Sequence, residues 1–241
     1  MNLTRTPYGV AVALPSGEQL PIRHIIGIGM NYAAHAREQG KGVPERPVLF
    51  TKNPFAASLH GDPIRVPKVC QDRAQVDFEA ELGVIIGAQP GGQFVRDVPK
   101  ERALQCVLGY VAANDVSARW WQKEGSGGQF YRGKSFDTFC PIGPAVAAPE
   151  QVGDPNALRI QCRVNGQTMQ DSNTADMIFD VATLVSEISR GHTILPGTLI
   201  VTGTPSGVGM ARTPQVFLKD GDTVEVEIEK IGVLSNRVVF E

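Results

Sequence analysis

The chain has 241 residues, 42% of them hydrophobic and 20% charged, and a formal net charge of −2. That supports one large domain or two small ones, and it excludes the dense basic runs that nucleic-acid binding requires. No apolar run approaches bilayer length, and the start "MNLTRTPYGVAVALPSG" lacks the long apolar stretch of a secretory signal, so no membrane partner and a cytoplasmic location are expected.

Taken in chain order, "GVAVAL" and "IIGIG" read as strands. "GMNYAAHAREQG" follows and reads as a helix. It carries His35 and Glu38 at i and i+3, on one side of a helix, where the carboxylate can orient the imidazole as a general base. A surface salt bridge is the alternative. His24, His60 and His192 have no obvious partner and are expected to be structural. "PVLFTK" and the proline-bounded "PIRVP" are further strands. "VDFEAELGVII" is the longest strand candidate. Its period of two puts Asp77, Glu79 and Glu81 on one face, with the two glutamates about 7 Å apart. Its apolar end implies burial. Neighbouring buried carboxylates require a proton or a cation, whereas on a solvated face they require neither.

A helix is expected around "PKERALQCV", then the strand "LGYVAAND", which ends on Asp115 just before a turn. Two glutamates on one strand and an aspartate at the end of another make an oxygen-only site suited to Mg²⁺, with Mn²⁺ and Ca²⁺ as alternatives. A short helix holds "VSARWWQK". "GQFYRGKS" then matches the phosphate-loop pattern letter for letter, but no buried strand leads into it, large residues fill it, and Pro141 and Pro144 stand too close for a following helix.

"LRIQCRVNG" contains the hairpin signal Asn165-Gly166. In "MIFDVATLVSEISRG", Ile178, Val181, Ala182, Val185 and Ile188 fall at helical spacing, with Gly191 beyond the end. "TLIVTG", "TVEVEIE" and "VLSNRVVF" complete the strands. "VTGTPSGVG" is either an ordinary turn or a source of hydroxyl and N–H groups for a carboxylate. Strands outnumber helices without regular alternation, so the fold class is α+β and β-rich. The dispersed glycines and prolines suggest many short strands joined by tight turns. Four widely spaced cysteines, with no C-x-x-C, read as buried thiols in a reducing compartment.

From about residue 23 to the C-terminus the motifs "GMNYAAHAREQG", "PVLFTKNP", "VDFEAELGVIIG", "GYVAANDVSAR", "GKSFDTFCPIGP", "VNG", "MIFDVATLVSEIS" and "VTGTPSGVG" resemble the fumarylacetoacetate hydrolase family. The resemblance implies a mixed β-roll or sandwich catalytic domain over 23–241, with 1–22 as a strand segment packed on it, and a homodimer. It implies Mg²⁺ or a related ion on Glu79, Glu81 and Asp115, and an active-site lysine at Lys134. It places Arg119, Gln122 and Thr204 against a small keto-acid substrate, and His35 and Glu38 as a dyad on a mobile lid. Trp120 stands where the family commonly has an acid, and "KEGSGGQFY" is bulkier than in the smallest members. The long N-terminal domain of the founding enzyme is not seen, so fumarylacetoacetate is not inferred as substrate. The expected reaction is cleavage of an acylpyruvate such as fumarylpyruvate or maleylpyruvate to pyruvate and a carboxylic acid. The alternatives are oxaloacetate decarboxylation or tautomerisation, isomerisation of a hydroxyheptadienedioate, and a keto-acid binding protein without activity.

Overall fold

The computed structural model of the protein describes residues 1–89 and 91–241. The chain opens with β1 (Asn2–Thr6), β2 (Gly9–Ala13) and β3 (Gln19–Pro21), then β4 (His24–Gly29), helix α1 (Ala33–Glu38) and β5 (Val48–Lys52). Next come β6 (Ala57–Leu59), β7 (Ile64–Val66), β8 (Val76–Asp77), β9 (Ala80–Ile86), α2 (Lys100–Ala103) and β10 (Val107–Asn114). The middle holds β11 (Ser117–Ala118), α3 (Arg119–Gln122), α4 (Phe130–Lys134), β12 (Cys140–Ala147) and α5 (Pro149–Val152). The last part has β13 (Arg159–Val164), β14 (Gln167–Asn173), α6 (Val181–Ser189), β15 (Thr198–Val201), β16 (Thr223–Ile228) and β17 (Gly232–Phe240).

A seven-stranded mixed sheet in the order β5-β4-β15-β9-β10-β12-β6 forms the centre. Both of its faces are covered. On β9, Ala80, Leu82, Val84 and Ile86 enter the larger apolar cluster, whereas Ile85 joins Val111 and Leu199 in the second. A sheet buried on both sides needs near-continuous apolar strands, which is how "GVII" reads. The five-stranded sheet β14-β13-β16-β17-β7 supplies Ile160, Val226 and Leu234 to the larger cluster. β1-β2-β3 places Val10 and Val12 in the second. The central sheet curls, so Lys52 on edge strand β5 reaches Asp115 just after β10, although three strands lie between them in the order. This is the β-rich α+β fold expected.

The directions of four strands determine where the site falls. β4 and β15 are parallel, β9 is antiparallel to β15, and β10 is antiparallel to β9. The exits of β4, β10 and β15 and the entry of β9 therefore share one end of the sheet. At that end the chain leaves β4 for α1, leaves β10 at Asp115, leaves β15 for Gly203 and Thr204, and enters β9 at Glu81.

Some expectations need correction. "VDFEAELGVII" is not one strand: β8 and β9 are separated at Phe78 and Glu79. Side chains replace the ladder there, since Phe78 N–H donates to Asp77 Oδ1 (2.9 Å) and Glu79 N–H to Asn114 Oδ1 (3.1 Å). The helix near residue 180 starts only at Val181, capped by Asp180, whose Oδ1 accepts from Thr183 N–H (2.7 Å). Ile178 and Phe179 instead donate their N–H groups to the backbone and side-chain oxygens of Asn31 (2.7 and 2.8 Å). "CPIGPAVA", not foreseen as a strand, is β12. The turn between β13 and β14 is as expected, with left-handed φ of 51° at Asn165 and 78° at Gly166. All four cysteines are free and buried, and burial pushes the Cys140 thiol up to about 12. Among the described residues no helix is long and apolar enough to cross a membrane.

Candidate active site

Glu79, Glu81 and Asp115 come together. Each offers one carboxylate oxygen, all within 4.8 Å of one another, and all three side chains are buried. Strand register explains this. β10 sets Ala113 opposite Glu81 and Asn114 opposite Ala80, and Asp115 N–H then donates to Glu79 O (2.9 Å).

Four buried carboxylates and three buried cations share this region: Asp77, Glu79, Glu81 and Asp115 against Lys52, Arg119 and Lys134. Lys134 Nζ donates to Glu79 Oε2 (2.5 Å) and to Asp115 Oδ2. Lys52 Nζ donates to Asp115 Oδ1 and to Phe139 O (2.8 Å). Arg119 donates from Nε and Nη2 to Asp77 Oδ2 (2.9 and 2.7 Å), its Nη2 lies 2.7 Å from Glu79 Oε1, and Nη1 donates to Gln122 Oε1 (3.0 Å). Burial works to raise Glu79, but the charges of Lys134 and Arg119 outweigh it and hold this carboxyl well below the usual range. Glu81 differs. Burial, then the charges of Asp115 and Glu79, push it well above that range, and its only hydrogen bond among the described residues is from Gly203 N–H (2.7 Å).

The cluster therefore holds one more acid than base, and Glu81 is the acid without an ion pair. Three convergent hard oxygens, with one more acid than base around them, fit a divalent cation, which would hold Glu81 ionised. A bound dication would turn the surplus positive, which suits an anionic substrate.

Lys134 ends α4, whose N–H groups point away from it, so the phosphate-loop match has the opposite polarity to a phosphate site. Gly133 lets α4 sit on α3: a Cβ there would lie 2.4 Å from Gln122 N and 2.8 Å from Ala118 O. We expect Gly133→Ala to cost about 1–3 kcal/mol as an overpacked contact. Thermal melts should show a fall of roughly 2–4 °C per kcal/mol, and turnover should fall with it as Lys134 is displaced.

His35 and Glu38 lie on α1, reached through Met30 in the left-handed region (φ 56°). His35 Nδ1 donates to Glu38 Oε1 (2.6 Å), so Nε2 accepts from Gln39 Nε2 (2.8 Å). Glu38 Oε2 accepts from Gly207 N–H (3.0 Å), which fastens α1 to the loop after β15. Asn31 adds to this by donating to Thr202 O (2.7 Å).

An inner cavity of about 30 Å³ is lined by His35, Glu79, Glu81, Arg119, Gln122, Lys134 and Thr204 with Gln39, Lys41, Phe50 and Phe130. It shares Gln39, Lys41, Gln122 and Phe130 with an adjoining outer chamber of about 540 Å³, walled also by Lys123, Glu124, Gly127 and Gly128. Of the expected residues, only Asp115 and Glu38 do not line the inner cavity, and both bond to residues that do. Thr204 Oγ1 already donates to Ala80 O (2.9 Å) and accepts from Gln170 Nε2 (2.7 Å), so only one lone pair is free. Trp120 lines neither space. It packs edge-on to Trp121 (4.9 Å) under Arg73 (5.2 Å).

Lys52 and Gln170 were missed, and Asp77 was noted on the strand face but given no role. Lys52 is 1% exposed and neutralises Asp115. Asp77 accepts from Arg119 and from the N–H groups of Gly209 and Met210 (2.8 and 3.0 Å). Gln170 positions Thr204 and accepts from Ala80 N–H (2.9 Å). A lysine ending the apolar "PVLFTK" was a signal for Lys52; Gln170 gave none.

A curled β-rich fold with a buried carboxylate triad, a buried lysine and a histidine–glutamate pair beside one cavity has the donor set of a divalent-cation site. Residues 24–239 match the family described as fumarylacetoacetate (FAA) hydrolase C-terminal. The chain belongs to the fumarylacetoacetate hydrolase family. It is 47% identical over 217 residues to the mitochondrial oxaloacetate tautomerase of Xenopus laevis, covering 89% of this chain and 65% of that protein. A human mitochondrial oxaloacetate tautomerase is 45% identical over 89% of this chain and 66% of its own length. The chain thus spans just under two thirds of these relatives. A crystal structure of fumarylpyruvate hydrolase from Pseudomonas aeruginosa with Mn²⁺ and pyruvate is 32% identical, covers both chains fully and superposes with a TM-score of 0.84.

Proposed function

We propose that this centre catalyses keto–enol proton transfer on a 2-oxo diacid of the oxaloacetate type. The observation that carries the reading is that His35 and Lys134, a base and an acid, face one cavity with Glu79 and Glu81, two of the three clustered carboxylates. The tautomerases named above, at 45–47% identity, add support. A divalent ion held by Glu79, Glu81 and Asp115, Mg²⁺ by its preference for few hard oxygens, supplies a Lewis acid for the keto and carboxylate oxygens when bound.

The chain's own residues do the rest. Glu38 holds the His35 Nδ1 proton, leaving the Nε2 lone pair to take a proton from C3 of the substrate. Gln39 must release that lone pair first. The ammonium of Lys134 stabilises negative charge developing on the keto oxygen, which gains a proton as the C2–C3 double bond forms. Arg119 holds Glu79 and Gln122, and Thr204 offers its free lone pair to the substrate. In the test, enol absorbance of oxaloacetate is followed with Mg²⁺ or Mn²⁺. Equilibration faster than in buffer with the same ion is expected; an unchanged rate with both ions overturns the reading.

A second reading, acylpyruvate hydrolysis, is favoured by the outer chamber, which has room for an acyl group. There His35 would take a proton from water as its oxygen adds to the distal carbonyl. The carbon–carbon bond would break, the carboxylic acid would leave, and the pyruvyl fragment would pick up a proton to give pyruvate. A coupled pyruvate assay with acylpyruvates separates the two reactions.

A further inference from the structure

The outer chamber has its own chemistry. Lys41 and Lys123 both line it, and neither has an ion-pair partner among the described residues. They come from different elements. Lys41 rides on the lid, because its N–H donates to Ala36 O (2.9 Å) and Gly40, at φ 68°, closes the end of α1. Lys123 follows α3, the helix of Arg119 and Gln122, and its N–H donates to Arg119 O (3.1 Å). Burial, then the charge of Arg119, push the Lys123 ammonium down, with Lys41 across the chamber adding to this and Glu124 working against it. Glu124 is the one acid on the wall. Two cations facing one space from two elements repel until an anion lies between them. The glycines 127 and 128 leave the remaining wall open.

We propose that the outer chamber recognises the distal carboxylate of a 2-oxo diacid longer than four carbons, held between Lys41 of the lid and Lys123 of the body. The inference rests on the keto-acid reading of the inner cavity and extends it: the 2-oxo acid end stays with the triad, and chain length decides whether the far end reaches the lysines. Gln39 connects the two ends, since it lines both spaces and holds the lone pair of His35. A chain reaching from one space to the other must displace its amide, so occupation of the chamber frees the base.

Calorimetry on the Mg²⁺-loaded protein tests this with four probes. 2-Oxoadipate and 2-oxopimelate carry a distal carboxylate, 2-oxohexanoate has a neutral tail, and pyruvate has no distal end. We expect at least one diacid to bind roughly 10–100-fold tighter than 2-oxohexanoate, as two charge-assisted contacts in a part-open site allow. The variant Lys123→Met, whose side chain lines the outer chamber but not the inner cavity, should lose most of that preference while binding pyruvate as before, with an unchanged melting temperature. Equal affinity for diacids and 2-oxohexanoate in the unmodified protein overturns the assignment, as does a preference that survives in the variant. Pyruvate separates the two levels. If it fails to bind, the keto-acid reading itself falls; if it binds while the longer acids are alike, only the chamber assignment falls.

Discussion

Glu81→Gln should lower divalent-cation affinity by about 100-fold or more and turnover by about 10³-fold, with little loss of fold stability. The reasoning starts from charge. Glu79 and Asp115 are each paired with buried cations, so removing either would leave Lys134, Arg119 or Lys52 partly uncompensated. Glu81 has carboxylate neighbours and one N–H donor, Gly203. Those neighbours already favour its neutral form, so an amide of the same shape orphans no cation. Loss of an outer partner of a metal ligand costs 10–100-fold in affinity, and loss of a ligand should exceed that. The rate loss follows from losing several kcal/mol of charge stabilisation at the keto oxygen. Calorimetry with Mg²⁺ and Mn²⁺, beside melting curves with and without the ion, gives the answer. The melting temperature without ion should hold or rise, and the increase on adding ion should vanish. An ion affinity equal to that of the unmodified protein would remove Glu81 from the centre.

His35→Ala should lower kcat by about 10²–10⁴-fold, the usual range for loss of a general base, while cation affinity stays within a few-fold. His35 is 4% exposed but lies on α1 and makes its hydrogen bonds to Glu38 and Gln39, not to the carboxylate cluster, so its loss should not disturb the triad. Glu38→Gln should be milder, because it leaves the imidazole in place but weakens its orientation and the tie to Gly207. Stopped-flow measurement of enol absorbance, with ion affinity measured on the same samples, separates loss of the base from loss of the metal. Near-normal turnover by His35→Ala would assign the proton transfer to another group.

Much of the site was legible because its residues sit in local patterns. Glu79 and Glu81 follow a period of two, His35 and Glu38 a helical spacing of three, and Asp115 marks the end of a strand before a turn. The Asn165-Gly166 turn and α6 were legible for the same reason. β12 was not, since Pro141 and Pro144 hide a strand whose N–H donors are partly missing. The phosphate-loop lettering around Lys134 misled for a related reason: the pattern records residue types but not whether a helix begins or ends at the lysine.

The sequence by itself determined the fold class, the family and the residue types available for chemistry, because strand alternation, turn residues and ordered motifs are local records of burial and backbone angle. Only the tertiary structure decided how the charges are shared. Lys52 meets Asp115 across 63 positions, Asp77 meets Gly209 across 132, and Gln170 reaches Thr204 from a neighbouring sheet. Those meetings depend on strand order, register and curl, which no window of sequence contains. The same long-range packing leaves Glu81, among the described residues, as the acid of the cluster without an ion pair, and sets two lysines around an outer chamber.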